Sequence, residues 1–110
     1  MDIKVSVIQL DCILGNVEEN LQKIERYVNL AKVQGSNFVV FPEMGTTGYF
    51  LGDRINKLAE TIPGKTTERL GKIAKESKLY LIGGMIERGK NGELYNSLVM
   101  LSPEGKIFAN

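Results

Sequence analysis

The sequence predicts an α/β domain built on a mixed sheet, and three observations carry that expectation. Residues 3–41 read as strand, helix, strand. Residues 79–109 read as strands joined by tight turns. Between them, Phe38-Val39-Val40-Phe41 is a wholly apolar run of β-branched and aromatic residues, stopped by Pro42. Four such residues in a row predict a strand buried on both faces of a covered sheet. A β-α-β unit implies a right-handed parallel crossover, whereas tight turns imply antiparallel neighbours. The sheet is therefore mixed.

The first strand is expected over residues 3–10, with Ile3, Val5 and Val7 on one face and Ile8 and Leu10 on the other. Its period slips in the middle, which suits a strand covered on both sides at one end. Asn16 is a good N-cap with Glu19 three residues on, the capping-box spacing with Asn in the Ser/Thr place. Val17, Leu21, Ile24, Val28 and Ala31 then recur every three or four residues, giving an amphipathic helix of about four to five turns. Gly35 is a helix stop before the strand at 37–41.

Within Phe50–Pro63, Ile55, Leu58 and Ala59 suggest a short helix, and Ile62-Pro63-Gly64 reads as a break. A further helix starts near Thr66 or Thr67, buries Leu70, Ile73 and Ala74, and ends around Ser77. Leu79–Glu87 is a strand whose Gly83-Gly84 pair marks either a bulge or a close backbone approach. Asn91-Gly92 reverses the chain into the strand Tyr95–Leu101. Ser102-Pro103-Glu104-Gly105 turns it again into a last strand beginning at Lys106–Ala109. That strand breaks off before its pairing is complete, so the chain reads as interrupted after Asn110.

Composition excludes several classes of function. The 110 residues hold one domain and one core, with 43% hydrophobic and 25% charged residues. A net charge of +1, with both signs interspersed, makes no basic surface for nucleic acid. No apolar run approaches the ~20 residues that span a bilayer, and the start Met1-Asp2-Ile3-Lys4 is not a signal peptide. A single cysteine makes no intrachain disulfide, which fits a cytoplasmic location. There is no histidine, so Ser-His-Asp and Cys-His sites are impossible within these residues, as are His-based and Cys-rich metal sites. No G-x-G-x-x-G or Walker A pattern occurs, and a nucleotide-binding unit is a poor reading.

What remains is Glu43. It stands at the C-terminal end of a buried strand, directly after Pro42, in a loop loosened by Gly45 and Gly48. In open α/β sheets this is the end where ligands and reacting groups gather. A glutamate in a loop is ordinarily just solvated; its place in the fold singles this one out.

In their order, these segments resemble the N-terminal part of the nitrilase superfamily, the carbon–nitrogen hydrolases. The resemblance is carried by Val5-Ser6-Val7-Ile8-Gln9-Leu10, the helix after Gly15-Asn16, and Val39-Val40-Phe41-Pro42-Glu43 with Gly48-Tyr49. Gly64-Lys65-Thr66-Thr67 continues it, and Tyr95-Asn96-Ser97-Leu98-Val99 with Ser102-Pro103-Glu104-Gly105-Lys106 completes it. It covers nearly the whole chain and makes residues 1–110 the N-terminal part of a single carbon–nitrogen hydrolase domain. It implies an α-β-β-α sandwich of which this is the N-terminal part, commonly assembled into homo-oligomers, and a Glu-Lys-Cys triad without metal or organic cofactor.

In that triad Glu43 matches the general base, and the expected substrate is a small linear amide rather than a nitrile, in the manner of an amidase or N-carbamoyl amidohydrolase. Tyr49 matches tyrosines that line the substrate pocket. The family's lysine and cysteine fall beyond Asn110, so the expected partner of these residues is the remaining C-terminal part of the domain, and the 110 residues alone are expected to be inactive. Lys106 falls in a hairpin turn and Cys12 reads as a small apolar filler; neither fills the gap. Asn96 reads as a satisfied structural group, the alternative being support for the site. A rival of another class is a short, non-catalytic binding or scaffold domain completed by a second polypeptide. A flavodoxin-like ligand binder is disfavoured by the missing phosphate loop.

Overall fold

Asn16 begins the first helix as its side chain requires: Oδ1 accepts the Glu19 amide at 3.1 Å and starts α1 (Val17–Val33). The computed structural model describes residues 2–49 and 51–109. Leu21, Ile24, Val28 and Ala31 form the buried stripe of α1, and Gly35 follows the helix with φ at 85°, a left-handed conformation that glycine adopts at no steric cost. Phe50, the expected start of the middle segment, and Asn110, where the chain reads as interrupted, lie outside the described residues.

Among the described residues, five strands form one sheet in the order β1 (Val5–Val7), β2 (Phe38–Val40), β3 (Tyr80–Arg88), β4 (Leu94–Leu101), β5 (Ile107–Ala109). The first two pairings are parallel and the last two antiparallel, so the sheet is mixed as predicted. A short helix α2 (Ile55–Leu58) follows a 3-10 turn at Gly52–Arg54, and α3 (Lys65–Ser77) precedes β3. Glu60 caps α3 from outside: its Oε1 accepts the Thr66 amide at 2.9 Å and its Oε2 accepts the Thr66 hydroxyl. A carboxylate at that position also meets the positive end of the helix dipole.

Helices α1 and α3 cover one face of the sheet. Ile24, Val28, Leu70 and Ile73 from the helices close on Val39, Leu81, Val99 and Leu101 from the strands, all at most 2% exposed. Burying a side chain of this size contributes about 1.5–3 kcal/mol. This is the core.

The opposite face is open over much of its extent, and here one expectation fails. Phe38 and Val40 are only half-buried, so β2 is not covered on both faces by these residues. Val5 and Val7, on one face of the first strand as expected, are 54% and 74% exposed. Leu98 and Phe108 share that exposure. Alternation along a strand sends every second side chain outward, and α1 and α3 pack on one side only. One end of the open face is covered by a small cluster of Leu51, Ala59 and Ile86, with Met44 packed against it.

The Gly83-Gly84 pair does not form a bulge. Pairing of β3 with β4 runs without a slip from Leu81 opposite Leu101 to Arg88 opposite Leu94. The irregularity lies between Met100 and Leu101, where β5 joins.

Candidate active site

Glu43 leaves the sheet where the ladder runs out. Phe41 donates its backbone N–H to the Ile82 carbonyl at 2.8 Å, and Pro42 has no N–H to continue. The Pro42 carbonyl instead accepts two amides, Gly45 at 2.9 Å and Gly84 at 3.2 Å. Met44 takes a left-handed backbone conformation, φ 52°, which a residue bearing a side chain adopts only when its surroundings hold it there. Those surroundings are visible. Its carbonyl accepts the Thr47 and Gly48 amides at 3.2 and 2.8 Å, and its side chain packs on the Leu51–Ala59–Ile86 cluster. Gly45, Thr46, Thr47 and Gly48 are all buried. The loop expected to be loosened by its glycines is pinned by them.

A second loop, residues 10–15, is locked against the first. Gly15 donates to the Thr47 carbonyl at 2.9 Å. Asn20, fully buried in α1, accepts the Ile13 amide at 2.8 Å and donates to the Ile13 and Thr46 carbonyls at 2.8 and 2.9 Å. One side chain thus ties both loops to the helix.

Glu43 and Pro42 line two hollows. The larger, of about 580 Å³, opens on the uncovered sheet face beside Val7, Val40, Gly84, Asn96 and Leu98. The smaller, of about 220 Å³, lies between the two loops, among Leu10, Cys12, Leu14, Met44, Gly48 and Tyr49. The structure therefore brings Glu43 and Tyr49 to one cavity. Tyr49 is 54% exposed, and partial desolvation together with the nearby Glu43 carboxylate and Cys12 raises its phenol above the ordinary value. It remains a neutral hydroxyl, and so a donor, at neutral pH.

Cys12 sits in the same cavity as a half-buried thiol. Burial raises its pKa, a shift that Asp11 reinforces and Lys23 opposes. Its Sγ lies 3.3 Å from the Gly45 carbonyl, as a donating S–H would. A thiol rather than a thiolate is a poor nucleophile. Lys106 is remote: its turn follows the Leu101 end of β4, which pairs with the start of β3, whereas Glu43 lies beside Gly84 further along.

For Asn96 the structure favours the alternative reading, support for the site, over that of a satisfied structural group. The Asn96 Nδ2 donates to Oε1 of Glu43, across 53 residues of sequence. Asn20 is the part of the site that the sequence reading missed, and a polar residue beside the apolar stripe of α1 is the signal that could have found it. At Gly84 the close backbone approach, one of the two readings of the glycine pair, is the one the structure takes. Among the described residues no cluster of His, Cys, Asp and Glu suits a metal ion, and no helix is long and apolar enough to cross a membrane.

Comparison with known proteins bears on the family and the fold. The family model described as carbon-nitrogen hydrolase matches residues 4–110. An omega-amidase of Mus musculus is 38% identical over 109 residues, covering 94% of this chain and 37% of its own length. A nitrilase of Pyrococcus abyssi is 35% identical over 109 residues, covering 96% of this chain and 41% of its own. The chain thus spans about two-fifths of the length of these relatives. A crystal structure of an N-terminal amidase superposes with a TM-score of 0.84 at 25% identity, over 97% of this chain and 27% of that one. An amidase from a Nesterenkonia species has a TM-score of 0.82 at 16% identity, over 97% and 41%, and shows the shared fold alone.

Proposed function

This chain belongs to the carbon–nitrogen hydrolase family, and from that premise we propose that it supplies Glu43 as the general base of an amide hydrolase. The observation that carries the reading is the fixation of Glu43: its backbone is pinned at the end of β2 while its carboxylate faces open cavity. A general base must reach the proton it takes within about 2.6–3.2 Å, and a pinned backbone with a reachable carboxylate meets that need.

In the Glu-Lys-Cys scheme, Glu43 takes the proton of a cysteine thiol as the sulfur attacks the amide carbon. A lysine ammonium stabilises the oxyanion of the tetrahedral intermediate. Amine departs with a proton, leaving a thioester, and Glu43 then deprotonates the water that hydrolyses it. The lysine and the nucleophilic cysteine are to be sought outside these 110 residues, because Lys106 is remote and Cys12 is held as a hydrogen-bonded thiol. The direction of β5 favours this arrangement. Ile107 pairs at Leu101 and Ala109 at Met100, so the strand runs toward the Asn96 end of β4 and hence toward Glu43. The 110 residues alone would lack two of the three reacting groups.

The substrate class that fits is a small linear amide, of the amidase or N-carbamoyl amidohydrolase type. The smaller hollow supports it, with apolar Leu10, Leu14 and Met44 to take a short chain and the neutral Tyr49 hydroxyl to donate a hydrogen bond. The open apolar face around Val5, Val7, Leu98 and Phe108 is where the rest of the domain would stack. The test is ammonia release from short amides by the complete product of this gene. Glu43→Gln should lower the rate by about 10²–10⁴-fold, the range for losing a general base. An unchanged rate would end the proposal.

A further inference from the structure

Glu43 is constrained at both ends, and the two constraints are of different kinds. Its backbone rests against Gly84 of β3 and is followed by the left-handed Met44, while its carboxylate is held by a side chain from β4. We propose that Asn96 is a positioning residue for Glu43: its amide donates to Oε1 and so fixes the direction in which the carboxylate faces its cavity. The inference rests on Glu43 being the general base.

The chemistry of the pair supports the assignment. A carboxylate has two equivalent oxygens on a flexible side chain, and a base is efficient only when one lone pair is aimed at the reacting proton. A donor on a paired strand removes much of that freedom before substrate arrives. An amide N–H also cannot accept the proton, so Asn96 orients the base without competing with it. A lysine there would form an ion pair with the base, and an aspartate would repel it.

Asn96 belongs to a strand fully paired with β3, opposite Ile86, and lines the larger hollow together with Glu43. Within these 110 residues both side chains are exposed, so water competes for their hydrogen bond and it adds little to the stability of this part of the fold. A contact of little value to stability, at the reacting group, is what positioning predicts.

The experiment uses the complete gene product and a panel of short linear amides from formamide to glutaramide, read as ammonia release. Asn96→Ala should lower kcat by about tenfold to a hundredfold, with KM within about threefold and the melting temperature unchanged. Asn96→Asp keeps the shape and volume of the side chain but sets a second carboxylate against the first, and should lose at least as much kcat. A parental kcat in Asn96→Asp overturns the inference, whether or not Asn96→Ala folds. So does a loss confined to KM, or one matched by a fall in melting temperature. Glu43→Gln separates the two levels. If it is inactive while the Asn96 variants match the parent, only this inference fails. If it is fully active, or if the parent hydrolyses none of the amides, the general-base reading fails and takes the inference with it.

Discussion

Gly84 lies so close to Glu43 that a Cβ placed on it would stand 2.7 Å from the Glu43 Cα and 2.6 Å from the Met44 amide nitrogen. Its neighbour does something different on the other face of the sheet. A Cβ on Gly83 would stand 2.2 Å from the ring of Phe41, which fills the core there. The two glycines make room for two different things, an aromatic ring on the helix side and a backbone on the cavity side.

Replacing them should therefore have separable effects. Gly84→Ala forces the Glu43 backbone away from the strand, and a shift approaching 1 Å at a reacting group can cost about a hundredfold in rate. With Glu43 as the proposed base, kcat of the complete gene product should fall by about that factor, with a stability loss of about 1–3 kcal/mol from overpacking. Gly83→Ala should cost as much stability through Phe41 but much less kcat for each kcal/mol lost. Denaturant melts and steady-state kinetics on both variants check the contrast; equal kcat losses at equal stability would show that Gly84 does not seat the base.

Tyr49 offers a test by titration. Desolvation and the negative charges that face it, Glu43 first and Cys12 when ionised, make the phenolate unfavourable and raise the pKa. Removing the carboxylate charge removes part of that shift, so Glu43→Gln should lower the Tyr49 titration midpoint. The chain has four tyrosines, so the signal is the difference in tyrosinate absorbance between each protein and its Tyr49→Phe counterpart. A midpoint that stays put or rises in Glu43→Gln would mean that the carboxylate does not act on Tyr49.

Element order was legible because periodicity is local. Val17, Leu21, Ile24, Val28 and Ala31 repeat on a helical period, and α1 buries that stripe with Val17 at its margin. Glu43 could be singled out as a candidate because Pro42 ends an apolar strand, a signal contained in six residues. What stayed hidden depends on tertiary register. The Asn96–Glu43 contact spans 53 residues and exists because β3 pairs with β4 in one register and with β2 in another. A slip of one residue would turn Asn96 to the helix side. Asn20 is hidden for a related reason: its partners at Ile13 and Thr46 meet only after two loops pack together. Coverage of the open face was misjudged because an apolar residue looks the same in a sequence whatever covers it.

Cys12 should be chemically quiet. Burial raises its pKa, so at neutral pH it holds less thiolate than an exposed cysteine, and its S–H is directed at the Gly45 carbonyl. Alkylation of the Cys12 peptide, followed by mass spectrometry of the folded protein, should be slow at pH 7. It should speed up as pH rises and become fast once the protein unfolds. Cys12→Ala should retain activity within a few-fold, since the triad reading gives this sulfur no role. Rapid alkylation at neutral pH that abolishes activity would place Cys12 in the chemistry instead.

Asn20 is the residue whose loss should be felt at both loops. Its side chain satisfies the Ile13 amide, the Ile13 carbonyl and the Thr46 carbonyl, and it is wholly shielded from water. Asn20→Ala strands these backbone groups in the interior, where one unsatisfied group costs about 1–3 kcal/mol. Water entering the vacated space can restore part of that, so a net loss of roughly 2–4 kcal/mol is expected in denaturant melts. The loops bearing Cys12 and Glu43 would also come apart locally, so amide exchange should accelerate at Ile13, Gly15 and Gly48 more than at Val39 or Leu81 in the core strands. Uniform acceleration across the sheet would mean that Asn20 supports only the global fold. Acceleration confined to the two loops, with a matching loss of kcat, would place it as the clamp that holds the base in register with its cavity.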